Sequence, residues 1–378
     1  MAYAVGSPLL PVDDEQVLEV LPAGPLQKEL DQLRRQLQQQ PANQQLAAKL
    51  VEHYLDIHRR SGDERYLGYA EQVLRPFPRP VDELALTKAV LLQRQHRFDS
   101  AARILQHLIQ QSPANGEAHL ILAYIDMARG RADVARRHCA SAVFAVGPAV
   151  VAACDARASS LSGDAEQAYQ ALLRLLDNIE MDELEAFEIH YSLAEISARL
   201  GHFENAHMHL DRALNVEPQN LALLTFKADL LLWRGDFHTC YRLLRTRQDQ
   251  PALLLRYAVA VNTVGDIEAF NVLAAKLQRH FAYQLLRDPA FASRDYANYL
   301  LQVEKDPQAA LKIARANWQN QREPADSYTV LASAVAARET SSVDDIVAWI
   351  KTTGLNDYRI NSLLRVIAEN TYTSGRKL

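Results

Sequence analysis

The chain has 378 residues, 48% apolar and 23% charged, with 13 Gly and 15 Pro. These fractions belong to a core-forming protein and exclude the disordered, collagenous and disulfide-scaffold classes, while Gly and Pro fall below their average usage of about 7% and 5%, so tight hairpins are few. Lys and Arg number 41 against 46 Asp and Glu, a net charge of −5 that is a poor footprint for a dedicated nucleic-acid binder, and no apolar run approaches a membrane span. Ala, Leu, Gln, Arg and Glu dominate, and these strong helix formers predict an all-α fold.

Residues 1–24 read as an extended, Pro-punctuated acidic lead-in. It has no charged segment followed by an apolar stretch, so no signal peptide is expected within it. Residues 25–81 follow as N-terminal helices and an irregular repeat: an amphipathic helix over Pro25–Gln40, then Gln44–Arg60 with Arg65–Arg75. From 82 to 350 the chain repeats. Asp82–Asn115 carries Ala89, Phe98, Ala101 and Pro113, and Gly116–Ala149 carries Leu122, Ala123, Gly130, Ala135, Ala142 and Gly147 at a spacing of 34. Ala149–Ile179 keeps Ala156, Gly163 and Ala168, and an acidic connection (Asp177, Glu180, Asp182, Glu183, Glu185, Glu188) leads to the clearest copy, Phe187–Asn220. That copy holds Leu193, Ala194, Gly201, Phe203, Ala206, Ala213, Leu214 and Pro218. Leu221 opens another, with Ala228, Gly235, Phe237 and Cys240.

Later copies are weaker. Pro251–His280 has Ala258 and Gly265, but Phe270 replaces a small residue, which predicts a splayed helix pair. Phe291–Pro324 lacks a turn Gly and uses Asp306-Pro307 to start its second helix. Ala325–Ile350 has Leu331, Ala332 and Trp349. Residues 351–370 read as a C-terminal capping helix and 371–378 as a flexible tail.

In phase, these residues resemble the tetratricopeptide repeat, whose period is 34. Small residues at its eighth and twentieth positions let the two helices of a repeat, A and B, approach closely. Gly201 and Gly235 suit the left-handed turn that ends helix A, and Pro218 stands where helix B stops. The resemblance implies an α–α superhelix of about eight helical hairpins plus terminal capping helices. The segment Gly62–Leu74, GDERYLGYAEQVL, also resembles bacterial exported proteins of this family, which implies a periplasmic chain whose signal peptide is missing from this sequence; otherwise the chain is cytoplasmic.

No Walker loop, dinucleotide-binding glycine motif, zinc-protease motif or nucleophile elbow is found, so no catalytic residue, cofactor or small-molecule substrate is expected. His207 and His209 stand two apart in GHFENAHMH and diverge on a helix, which predicts surface histidines on helix B and no metal site. Cys139 and Cys154 lie on helices that pack together; a bridge in an oxidising compartment and free buried thiols are both open. Cys240 takes a small-residue position and is expected in the core, and the acidic connection lacks calcium-loop spacing.

The concave groove is the remaining candidate. The family's inner positions on helix A map onto Gln93, Arg94, Tyr124, Met127, Arg157, Tyr191, Glu195, Arg199, Asp229, Trp233, Asn262 and Tyr299. Tyr, Trp, Arg and Met are hot-spot residue types. The expected function is therefore a non-catalytic protein–protein interaction scaffold holding a peptide or partner protein there. Two alternatives are a helical-repeat RNA-binding protein, for which Arg94, Arg157 and Arg199 give only a thin basic stripe, and a structural subunit of an exported assembly.

Overall fold

The computed structural model describes residues 25–143 and 146–375. The expected lead-in, 1–24, lies outside the described residues. Within them the chain forms 20 α-helices, one short 3-10 turn and no strand. Helix α1 (Pro25–Gln39) precedes nine hairpins: α2/α3 (Gln44–Ser61, Arg65–Leu74), α4/α5 (Asp82–Arg94, Phe98–Gln111), α6/α7 (Gly116–Ala128, Ala132–Ser141), α8/α9 (Pro148–Ser159, Ala165–Asn178), α10/α11 (Glu183–Leu200, Phe203–Val216), α12/α13 (Leu221–Trp233, Phe237–Leu244), α14/α15 (Pro251–Val264, Ile267–Arg287), α16/α17 (Arg294–Gln302, Pro307–Asn320) and α18/α19 (Pro324–Ala337, Asp344–Thr353). Helix α20 (Tyr358–Gly375) ends the described chain. It runs to Gly375 instead of stopping at 370, so most of the stretch expected to be a tail is helical.

The small-residue pattern does what its spacing demands. Ala89 and Ala101, Ala123 and Ala135, Ala194 and Ala206, and Ala228 and Cys240 are all fully buried where the two helices of a hairpin cross. A larger side chain at such a crossing would hold the backbones apart. Phe270, expected to splay its hairpin, is half-buried, and α14 and α15 still share one core. The acidic stretch is not a free connection: Asp182 caps α10, its Oδ1 accepting from the Glu185 amide at 2.8 Å while Glu185 Oε2 accepts from the Asp182 amide at 3.3 Å. Carboxylates at a helix N-terminus satisfy orphan amides and complement the dipole.

Each hairpin turns through one left-handed residue. Glycine fills that place at positions 62, 130, 163, 201, 235 and 265. In the three hairpins without a turn glycine, His96, Lys305 and Arg338 adopt the same positive φ, between 56 and 59°. The turn is thus set by the hairpin geometry, and glycine is the residue that takes it at least steric cost.

These turns are also where the superhelix closes on itself. The Asn320 side chain donates to the His96 carbonyl at 3.1 Å, and the Arg322 amide donates to the Ala128 carbonyl at 2.7 Å. Trp349 rests on Gly130, held edge-on to Trp318 at 5.4 Å and covered by the Arg322 guanidinium. Gly354 packs on Gly163, and Tyr358 lies over Gly201. At the other end Leu221 meets Gly62, Arg59 pairs with Glu217, and Gln284 donates to Glu64 at 3.2 Å. Later hairpins therefore run along the row of turns made by earlier ones.

A disulfide joins Cys139 on α7 to Cys154 on α8, resolving the open reading of these residues in favour of the bridge. Both cysteines are buried, beside Met127. Closing a loop over a sequence separation of 15 is worth about 3 kcal/mol in the chain-entropy picture. Cys240 is the free thiol and is buried, as expected.

Two outcomes follow from this architecture. A Cβ at Gly130 would stand 2.4 Å from Trp349 and 3.1 Å from the Arg322 Cβ, whereas one at Gly265 meets nothing within 4 Å. Gly265→Ala should cost about 1 kcal/mol for the left-handed backbone alone, and Gly130→Ala about 2 kcal/mol beyond that, in urea denaturation. Equal losses would show that the closing contact contributes nothing. Thiol titration of the unfolded, unreduced chain should count Cys240 alone; three reactive thiols would refute the bridge.

Candidate functional site: the concave face

The A helices contribute the inner wall, and their polar side chains meet in successive groups. In the first, the Arg157 guanidinium on α8 lies over the Tyr124 ring of α6 at 5.2 Å and the Tyr191 ring of α10 at 4.9 Å. Its Nε stands 2.8 Å from Glu195 Oε2, and Phe187 stacks on Tyr191. Burial alone would depress the Arg157 pKa, but the Glu195 carboxylate holds it above its ordinary value. Burial pushes the Tyr124 hydroxyl up to about 12 and also raises Tyr191. A guanidinium between two aromatic faces with a carboxylate on its edge satisfies charge and stacking together.

Of the second group only Asp229 was legible from the repeat positions. Arg256 on α14, only 5% exposed, bridges two carboxylates: Asp229 at 2.8 and 3.1 Å and Asp295 at 2.7 Å. Arg294 continues the chain of charge to Glu323 at 3.0 Å and Asp326 at 3.4 Å. Asp326 also accepts from the Asn317 amide at 3.0 Å, and burial pushes its carboxyl up to about 7, with Glu323 adding to the rise. One signal for Arg256 was present: a charge inside LLLRYAVAV has to be paired when that helix is buried.

The third group is built by the C-terminal helix. Arg359 on α20 stacks on Trp233 at 3.7 Å and faces Tyr328 at 5.4 Å, steered by Asp357 at 2.6 Å. A cavity of about 340 Å³ opens between these two groups, lined by Asp229, Trp233, Arg256, Arg294, Tyr328 and Arg359 among others.

The expected groove residues thus divide. Tyr124, Arg157, Tyr191 and Glu195 come together, and Asp229 and Trp233 line the cavity. Arg94 is exposed on the last turn of α4, within electrostatic reach of Arg59, Tyr191 and Glu217, with Gln93 half-buried beside it. Asn262 uses its backbone carbonyl in the turn at Gly265. Three need correction. Met127 is buried against the disulfide because it points into the crossing with α7 and α8. Tyr299 is buried because the long helix α15 brings Phe281 to 4.8 Å from its ring, and its hydroxyl donates to Glu304. Arg199 is also buried, donating to Ser160 Oγ between hairpins, and burial pulls its pKa down.

The histidine reading needs correction as well. His209, expected on the surface, is 1% exposed and pairs across its hairpin with His190, Nδ1 to Nδ1 at 3.1 Å. His119 and His138 repeat the arrangement at 2.9 Å, with the Pro113 carbonyl 3.2 Å from His119 and Asp126 3.7 Å from His138. Among the described residues no group of three or more His, Cys, Asp or Glu side chains is placed to hold a metal. No described helix is long and apolar enough to cross a membrane.

Stacked αα hairpins wound into a closing superhelix define a helical-repeat solenoid. The tetratricopeptide-repeat family model matches residues 92–154, and the same stacking of helical hairpins continues on either side of that stretch. The protein is similar in fold to a chain of the APC/C hetero-tetramer Cut9–Hcn1, with a TM-score of 0.53 and 12% identity over 92% of this chain, and it spans 65% of that chain's length. Yeast Tom70 matches with a TM-score of 0.39 at 11% identity, and human IFIT1, solved as a dimer with m7Gppp-AAAA, with 0.43 at 14%. Each of these two alignments covers 92% of this chain and 86% of the other. No curated protein matches the chain.

The histidine pairs carry a pH prediction. Burial, with His190 and Arg212 adding, lowers the His209 pKa from 6.5 to about 4, and burial lowers His190 too. The folded state therefore binds fewer protons than the unfolded chain. Its contribution is complete above pH 6.5 and is lost as pH falls toward 4. Urea midpoints should drop between pH 7.5 and 5 by an amount worth on the order of 1–3 kcal/mol, and His209→Gln should flatten the slope. An unchanged slope in the variant would remove His209 as the cause.

Proposed function

We propose that the chain is a protein–protein interaction scaffold that seats a peptide, or an extended segment of a partner protein, on its concave face. The observation that carries this reading is the 340 Å³ cavity beside Trp233. Its walls combine an aromatic face, fixed guanidinium groups and carboxylates, the residue types that anchor interfaces. A volume of this size takes a side chain or two and not a helix, so the wider concave wall, from Arg94 to Tyr191, supports the flanking residues of the ligand. The surrounding charges are already paired, with Arg359 Nη1 the one cavity-lining nitrogen buried without a hydrogen-bond partner among the described residues, so little ordering is left to do on binding. The Cys139–Cys154 disulfide favours an oxidising compartment and, with it, the exported reading.

Display selection with a random peptide library should yield a consensus that binds the folded chain. Trp233→Ala removes the aromatic wall, and Val259→Arg places a long side chain into the cavity without deleting a contact. Both should weaken the selected peptide by roughly tenfold or more while helical circular dichroism is retained. Binding undiminished in both variants would take the cavity out of the function.

A further inference from the structure

A second cleft lies on a different part of the molecule, at the seam between the first two hairpins. Helix α3 ends at Leu74, and the connection RPFPRP leads to α4. Its prolines at 76, 78 and 80 cannot continue a helix, and the chain leaves α3 through a turn in which the Phe77 amide donates to the Leu74 carbonyl at 3.0 Å. Phe77 turns inward to the N-terminal core. The opening that remains has a volume of about 500 Å³. Its floor is apolar: Leu74 and Leu91 belong to the first core cluster and Leu92 to the next, so the cleft sits where the two cores meet.

The rim is cationic. Arg75, Lys88, Arg97 and Arg103 line it together with a single carboxylate, Glu71. Arg97 is tied to Glu71 at 3.2 Å, and Arg103 donates to Ser100 Oγ at 3.3 Å. Arg75, Lys88 and Arg103 form no ion pair among the described residues. Four positive charges against one negative, 4 − 1 = +3, stand out in a chain of net charge −5. The cations also come from three elements, the α3 connection, α4 and α5, and so surround the floor instead of converging on one point.

We infer that this cleft docks an acidic peptide segment of a partner, inserting a large apolar side chain against Leu74, Leu91 and Leu92 while its carboxylates meet Arg75, Lys88 and Arg103. Carboxylates spaced along a chain suit a dispersed rim better than the single head of a lipid anion does. The field of the rim raises the encounter rate, and the buried side chain sets the residence time. This site is independent of the concave face.

The test is fluorescence polarisation at low salt with a short labelled peptide of Asp, Glu, Leu and Phe, beside its Asn/Gln counterpart. Binding should weaken roughly tenfold in the Arg75→Glu, Arg103→Glu double variant, whose exposed side chains are free of the core, and should fall as salt screens the rim. The neutral peptide should bind more weakly, and Trp233→Ala should leave binding unchanged. Absence of binding, equal binding of the neutral peptide, or indifference to the double charge reversal would each overturn the inference. So would laurate binding that the double variant loses while the peptide fails to bind, which would reassign the cleft to a lipid anion.

Discussion

The whole arrangement depends on how closely one hairpin can approach the turn of another. Gly130 lies beneath Trp349 and Gly201 beneath Tyr358, and a side chain at the former could be accommodated only by moving the indole. Because these glycines already hold left-handed backbone, one residue type meets both demands at each place: a positive φ and no Cβ toward the incoming aromatic. Trp318, Trp349 and Arg322 turn that absence of side chain into a packed contact between segments about 200 residues apart. A solenoid whose repeats touched only their neighbours would lack this constraint.

Closure shapes the concave face. The groove is furnished from its own far end as well as by its A helices: α20 delivers Arg359 onto Trp233, and α16 and α18 deliver Asp295, Asp326 and Tyr328. Charges brought inside a winding superhelix lose water, and the structure answers with pairing. Arg157 takes Glu195 and two aromatic faces, and Arg256 takes Asp229 and Asp295. Breaking one member of such a group would strand its partner in a poorly solvated place, which is costlier than never having built it. The cavity by Trp233 is what this paired framework leaves open.

The sequence pattern identified the elements because a local rule acts at each crossing and turn. Ala123 with Ala135 and Ala194 with Ala206 are small for reasons confined to one hairpin, so they were readable. The same locality explains the failures. Met127 and Tyr299 occupy helix-A positions of the inner face, yet Met127 is rotated against the bridged cysteines and Tyr299 is capped by Phe281 from a helix longer than the repeat allows. His209 looked like a surface residue on helix B, but its partner His190 on helix A sits across the crossing and draws it inward.

Composition and periodicity alone determined that the chain is all-α and that its repeats are helical hairpins with left-handed turns, while the family resemblance supplied the inner-wall positions at which Tyr124, Arg157, Tyr191, Glu195, Asp229 and Trp233 were expected. These depend on backbone sterics and on contacts within a repeat or between adjacent repeats, which a 34-residue phase encodes. Only the tertiary structure decided that Cys139 and Cys154 join, that Arg256 serves two carboxylates, that Arg359 enters the concave face and that later hairpins close over the early turns. The reason is cumulative geometry: small rotations between successive hairpins add over nine of them, and their sum, which no single repeat specifies, sets which distant side chains meet.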